Sequence, residues 1–197
     1  MSISICRQEM ENMEGIIKRL PGASETRPFQ VRDISERDLP LVMSAQERSL
    51  ELLNYDESIF IATEEDCIRE YISEDRFLAL GVFSKDELCA YLFMDFEASR
   101  EDSLGKLIDQ KKEILPLSKI AILDTITVAP EYRGNKLQRK LAILCSSAAK
   151  DKGAEAVYTT VSRTNSFSLK NLIESGFTEA GELQLHGQAR VFMKKLL

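Results

Sequence analysis

The sequence predicts a single α/β (α+β) domain in which helices flank a mixed central sheet. Three observations carry this expectation. The chain has 197 residues, 44% of them apolar, enough for one domain with its own core. Stretches of period two alternate with stretches of period three to four in the order β, α, α, β, β, β, α, β, α, β, β, and helices that interrupt strands in this way point to a layered α/β or α+β fold. Finally, the nine-residue run Ile120–Val128 (IAILDTITV) passes through a short link into a helix with a one-sided apolar stripe.

Residues 1–28 are expected to form an N-terminal appendage and residues 29–197 the domain. Around Met10–Leu20 lies a short amphipathic stretch, which runs into Pro21-Gly22 and a polar link to Pro28. Phe29–Arg32 alternates like a strand. Ser35-Glu36-Arg37-Asp38 reads as a capping box with Pro40 in the first turn, so a helix is expected to about Leu53. Thr63–Asp66 repeats the start signal for a helix to about Ser73. Phe77–Phe83 and Leu88–Phe96 are apolar and β-rich on either side of Ser84–Glu87, the pattern of a hairpin. A charged excursion over 97–118 contains a short helix near Leu104–Ile114.

After Ile120–Val128 comes Ala129-Pro130-Glu131-Tyr132-Arg133-Gly134, then a helix with Leu137, Leu141, Leu144, Cys145 and Ala148 on one face, ended by Gly153. Ala156–Val161 is a strand. Asn165 starts a helix that stops at Ser175-Gly176-Phe177. With Gly176 at C′, Leu172 falls at C3 and Phe177 at C″, the pair that packs in a Schellman end. Two strands, Thr178–Leu185 and Ala189–Leu196, close the chain around His186-Gly187-Gln188.

Composition excludes several functions. The net charge of −6 argues against a general nucleic-acid binder. No apolar run is long enough for a membrane span, and the N-terminus carries acids where a signal peptide is apolar, so the expectation is a cytoplasmic protein without a membrane partner. Cys6, Cys67, Cys89 and Cys145 form no CxxC and read as reduced thiols, mostly buried. His186 is the one histidine, so no metal site and no Ser-His-Asp triad is expected, and it reads as a hairpin residue. GxGxxG and GxxxxGK[ST] are absent.

Residues 131–152 carry Arg133, Lys136, Arg139, Lys140, Lys150 and Lys152 against Glu131 and Asp151, a net +4 at a strand-to-helix turn. A helix N-terminus exposes unpaired N–H groups, and Gly134 permits close approach, so this turn suits a phosphate. Residues 47–75 show the opposite bias, ten acids against Arg48 and Arg69.

Over residues 120–197 the chain resembles the GNAT superfamily of acyl-CoA-dependent N-acyltransferases. The resemblance rests on ITVAPEYRGNKLQRKL, AVYTTVS and NSFSLKNLIESGF in the family's order, with LQLHGQARVFMKKL as its closing strands. It implies direct transfer of an acetyl group from acetyl-CoA to a primary amine, without an acyl-enzyme. The backbone of Ile126, Thr127 and Val128 on the family's splayed strand would align the pantetheine arm and polarise the thioester carbonyl. Arg133, Gly134, Asn135, Lys136, Leu137 and Gln138 would hold the pyrophosphate. Asn165 and Ser168 would bond the pantetheine arm, and Lys170 would reach the adenosine phosphates. Asp124, two residues before Ile126, is the candidate base for the ammonium proton.

Three positions depart from the family. Lys136 and Gln138 stand where it has small residues, and Leu172 stands where many relatives have an acid-donating Tyr; Tyr132 and Tyr158 are fallback acids. Because the family's acceptor side lies along the first two helices, the acidic stretch points to a small cationic amine. The alternatives are a protein or peptide N-acetyltransferase, an acyl-CoA-binding domain without turnover, and an interaction module. A homodimer is left open.

Overall fold

The computed structural model describes residues 14–18, 26–56, 59–99, 103–110, 115–185 and 187–197. Eight strands form one sheet in the order β1-β2-β3-β4-β5-β6-β8-β7. The strands are β1 (Glu14–Ile17), β2 (Arg27–Asp33), β3 (Phe77–Ser84), β4 (Glu87–Asp95), β5 (Ile120–Val128), β6 (Ala156–Val161), β7 (Thr178–Leu185) and β8 (Gln188–Leu196). The helices are α1 (Leu39–Leu52), α2 (Glu65–Ser73), α3 (Ser103–Gln110), α4 (Leu137–Asp151) and α5 (Ser166–Glu174). Every neighbouring pair is antiparallel except β5 with β6, which makes the sheet mixed.

Most elements fall where the pattern put them. The Ser35–Asp38 segment caps a single 3-10 turn before α1, with Ser35 N and Oγ both donating to Asp38 Oδ2 at 2.9 and 2.7 Å. The Schellman end of α5 forms as expected: Gly176 has φ +93°, Phe177 N donates to Leu172 O at 3.1 Å, and Gly176 N donates to Ile173 O at 2.9 Å. Leu172 and Phe177 are both buried there.

The N-terminal boundary differs from the expectation. Glu14–Ile17, assigned by sequence to an appendage, is the edge strand of the domain's own sheet, paired antiparallel to β2. Burial explains it. Ile17 is fully enclosed in the main core, and Gly15 leaves room for the Phe29 ring, since a Cβ there would lie 2.4 Å from it. The rest of the 1–28 stretch lies largely outside the described residues, as do Cys6, His186 and the expected end of the 104–114 helix. Of the three described cysteines, Cys89 and Cys145 are buried and Cys67 is exposed on α2, so the expectation of buried thiols holds for two.

Two cores result. The larger joins β1–β4, α1, α2, α4 and the inward residues of β5, β6 and β8. The smaller sits on the other face of the late strands, where Ile120, Ile122, Tyr158 and Phe192 meet Leu104 and Ile108 of α3.

Candidate active site

The site begins where the sheet stops being a sheet. β5 and β6 pair only at Ile120↔Ala156, Ala121↔Val157 and Ile122↔Tyr158. Beyond Ile122, β5 keeps its β4 partner to Val128, while β6 follows β8 to Val161. The two strands part into a wedge, and among the described residues no strand pairs with the β6-side edge of β5 beyond Ile122.

A bulge marks the apex. The β4–β5 register passes from Phe93↔Thr125 to Met94↔Leu123, so Asp124 is the extra residue, and its side chain is exposed. Thr125 Oγ1 donates to Asp124 Oδ2 at 3.0 Å. The charge of Asp124 is felt by Tyr91 of β4, Cys67 of α2 and Arg190 of β8, which places the carboxylate among the elements that line the wedge. Further along, Thr127 and Tyr91 form a buried cross-strand pair. Burial pushes the Tyr91 hydroxyl well above its usual range.

At its far end β5 delivers the chain to α4. Gly134 takes φ +83°, and Lys136 takes φ +59° as the N-cap. The N-cap residue makes no side-chain capping bond, so among the described residues the first N–H groups of α4 have no side-chain cap. Arg133 curls back, Nε donating to Val128 O at 3.4 Å, and partial burial lowers its pKa. Tyr132 anchors the turn from below: its hydroxyl donates to Glu87, and burial together with that carboxylate raises its pKa. Arg48 of α1 pairs with Glu131 at 3.0 Å, joining the first helix to the same turn.

The structure brings the two expected cofactor sets together. Gln138 Nε2 donates to Ser168 Oγ at 2.7 Å, and Asn171 Nδ2 donates to Gln138 Oε1 at 2.9 Å, so the starts of α4 and α5 are clasped. Other candidate side chains have structural work. Asn165 Oδ1 caps α5 through Ser168 N at 3.1 Å, Leu137 is buried, and Asn135 Oδ1 accepts from Lys18 N at 2.9 Å while its Nδ2 donates to Tyr132 O. Lys170 is exposed and lies 4.0 Å from Glu174. Ile126 and Val128 are half-buried on β5.

Tyr158 is packed in the smaller core, stacked on Phe192 at 5.1 Å, and Leu172 is core. Arg190, Gln188 and Thr160, which border the wedge, were missed by sequence reasoning. Their position depends on β8 lying between β6 and β7, a crossing that no local pattern encodes.

An open β5 edge, a glycine turn, an uncapped helix start and local basic charge together fit a ligand with an amide-bearing arm and a pyrophosphate, as in acetyl-CoA.

No protein-family model matches the chain, and no curated protein matches its sequence. Solved structures do. It is similar to a GCN5-related N-acetyltransferase from Kribbella flavida, with 19% identity over 86% of this chain and 98% of that one, TM-score 0.64. It is also similar to the ribosomal-protein-S18-alanine N-acetyltransferase from Escherichia coli, with 15% identity over 85% and 93%, TM-score 0.62. An aminoglycoside acetyltransferase in complex with coenzyme A and kanamycin gives 16% identity over 85% and 94%, TM-score 0.62. The likeness extends over most of the chain, and the protein has the fold of the GNAT N-acetyltransferases.

Proposed function

We propose that the protein transfers an acetyl group from acetyl-CoA to a primary amine, and that the amine is small and cationic. The observation that carries this reading is the β5–β6 wedge opening beside a glycine turn that feeds the uncapped start of α4. Acetyl-CoA would supply the activated acetyl group as a thioester. The exposed edge of Ile126–Val128 would orient its arm, and the turn Arg133–Gln138 would receive its phosphates, mainly through backbone N–H groups, because Asn135, Leu137 and Gln138 spend their side chains elsewhere. Lys136 and Lys170 would add positive charge at the surface.

Asp124 is the proposed base. An amine has a pKa near 10, so it must lose a proton before its nitrogen forms the C–N bond. Asp124 would take that proton before attack; as the C–N bond then forms and the C–S bond breaks, the nitrogen's second proton would pass to the departing thiolate. With Tyr132 tied to Glu87 and Tyr158 enclosed, no tyrosine is assigned as acid, and a thiol of ordinary acidity leaves tolerably without one.

The cationic preference rests on α2 and its approach. Glu64, Asp66 and Glu70 are exposed there; burial raises the Cys67 pKa, and the field of these acids, with that of Asp124, raises it further. Arg69 offsets part of it by bonding Glu36 and Glu65, both at 2.6 Å. A one-signed wall concentrates ligands of the opposite sign, an effect that weakens with salt.

A second reading, acyl-CoA binding without turnover, is favoured by Leu172, a core residue where many relatives have an acid-donating Tyr, and by Lys136 at the turn. Titration calorimetry with CoA and a turnover assay over cationic, neutral and acidic amines and peptides separate the readings. Arg133→Glu should weaken CoA binding with the fold intact, and kcat/KM for cationic amines should fall as salt rises. Undiminished CoA affinity in Arg133→Glu, or a preference for acidic acceptors, would count against the placement or the substrate class respectively.

A further inference from the structure

Two residues of β8 each enclose a polar atom that has no hydrogen-bond partner among the described residues: Gln188 Oε1, an acceptor, and Arg190 Nη1, a donor. They stand two positions apart in one strand, so they share a face. Phe192 continues that face into the smaller core, beside Tyr158.

The guanidinium of Arg190 is held in place. Its Nε donates to Thr160 Oγ1 at 3.0 Å, which fixes the plane of the group and leaves Nη1 unmet. Thr160 lies two residues past Tyr158, the last β6 residue paired with β5; Asp124 lies two residues past Ile122, its partner in that last pair. Asp124 and Thr160 thus mark equal depths on the two arms of the wedge. Arg190 reaches this level from β8, close enough for its charge to interact with that of Asp124.

A buried donor that no atom of the described residues meets is costly to keep, and a guanidinium edge matches a carboxylate in geometry as well as charge. The neighbouring amide oxygen is suited to an N–H group. We propose that the acceptor amine carries a carboxylate, making it an amino acid, and that Arg190 Nη1 binds the carboxylate while Gln188 Oε1 accepts from an adjacent N–H. This rests on the acetyltransferase reading for the fate of the amine, although the binding itself can be measured without turnover. It narrows the cationic class to molecules such as lysine, in which the acid-rich wall and the arginine each meet a charge.

Lysine and cadaverine differ by this carboxylate and serve as probes. Each is titrated calorimetrically into the full-length protein, alone and saturated with CoA, for the wild type, Arg190→Met and Arg190→Lys. Lysine should bind at least about tenfold more tightly than cadaverine, as expected for a charge-assisted pair. Arg190→Met should abolish that difference while leaving cadaverine and CoA affinities unchanged, and Arg190→Lys should restore part of it. Thermal melts confirm that each variant is folded. Equal affinities in the wild type, no measurable lysine binding, or an Arg190→Met defect that falls on CoA instead would overturn the proposal. A wild type that binds lysine selectively but gives no heat with CoA would overturn the acetyl-CoA reading and leave the carboxylate site standing.

Discussion

The two ends of the sheet are built to opposite rules. At the closed end, β3 and β4 pair from Phe77↔Asp95 to Ser84↔Glu87, and their residues are almost all buried. Polar groups there are met: Asp38 by Arg32 and Ser35, Ser84 by Pro28 O, and Gln46 by both backbone groups of Thr63. At the open end β5 and β6 share three pairs and part. Among the described residues, Arg48, Tyr91, Thr127, Glu131, Gln188 and Arg190 each retain an enclosed polar atom without a hydrogen bond; Tyr91 faces Thr127 across β4 and β5, Arg48 meets Glu131 at the turn, and Gln188 and Arg190 lie on β8. Native proteins satisfy buried polar groups wherever they can, so on the proposed function this is where acetyl-CoA and the amine would complete the structure.

The contrast can be tested by asking which property each end controls. Phe93, fully buried between Tyr71 and Tyr91, belongs to the closed end. Phe93→Ala should cost about 3–5 kcal/mol in chemical denaturation. At the open end, Asp124→Asn should lower kcat by at least about 100-fold while the denaturation midpoint and CoA affinity hold. If it unfolds the protein and spares kcat, the division between the two ends fails.

Asp38 sharpens the comparison through pH. Arg32 holds its carboxyl well below the usual carboxylate range, aided by Ser35 and opposed by burial. The folded pKa is depressed, so the stabilisation is complete above the ordinary value near 4 and drains away as pH falls below it. Asp38→Asn should cost about 2 kcal/mol at pH 7, and the gap to wild type should narrow steadily on acidification below pH 4. A gap independent of pH would mean that the pair contributes nothing as ions. The smallest effect belongs to the turn. Lys136 is a side-chain-bearing residue at φ +59°, so Lys136→Gly should raise stability by up to about 1 kcal/mol in the same denaturation assay.

Legibility in the sequence followed how local the cause was. The Schellman end of α5, the stripe of α4 and the run Ile120–Val128 are short-range patterns, and each formed where expected. The strand at Glu14–Ile17 shows no such pattern, because what holds it is a neighbour at Phe29 and room left by Gly15. Asp124 could be named as a candidate from its place in the run. Its place as the bulge at the apex of the wedge required the register against β4. Gln138 and Ser168 were read as two ligand contacts, yet they are 30 residues apart and bond each other.

The bond from Lys18 N to Asn135 Oδ1 gives the molecule a built-in gauge. The amide at the end of an edge strand is ordinarily quick to exchange its proton with solvent, and this one is shielded by a side chain that belongs to the turn between β5 and α4. Openings of the turn and of the strand end therefore share one equilibrium. Deuterium uptake at a single amide, far along the chain from the turn, becomes a readout of whether that turn is filled.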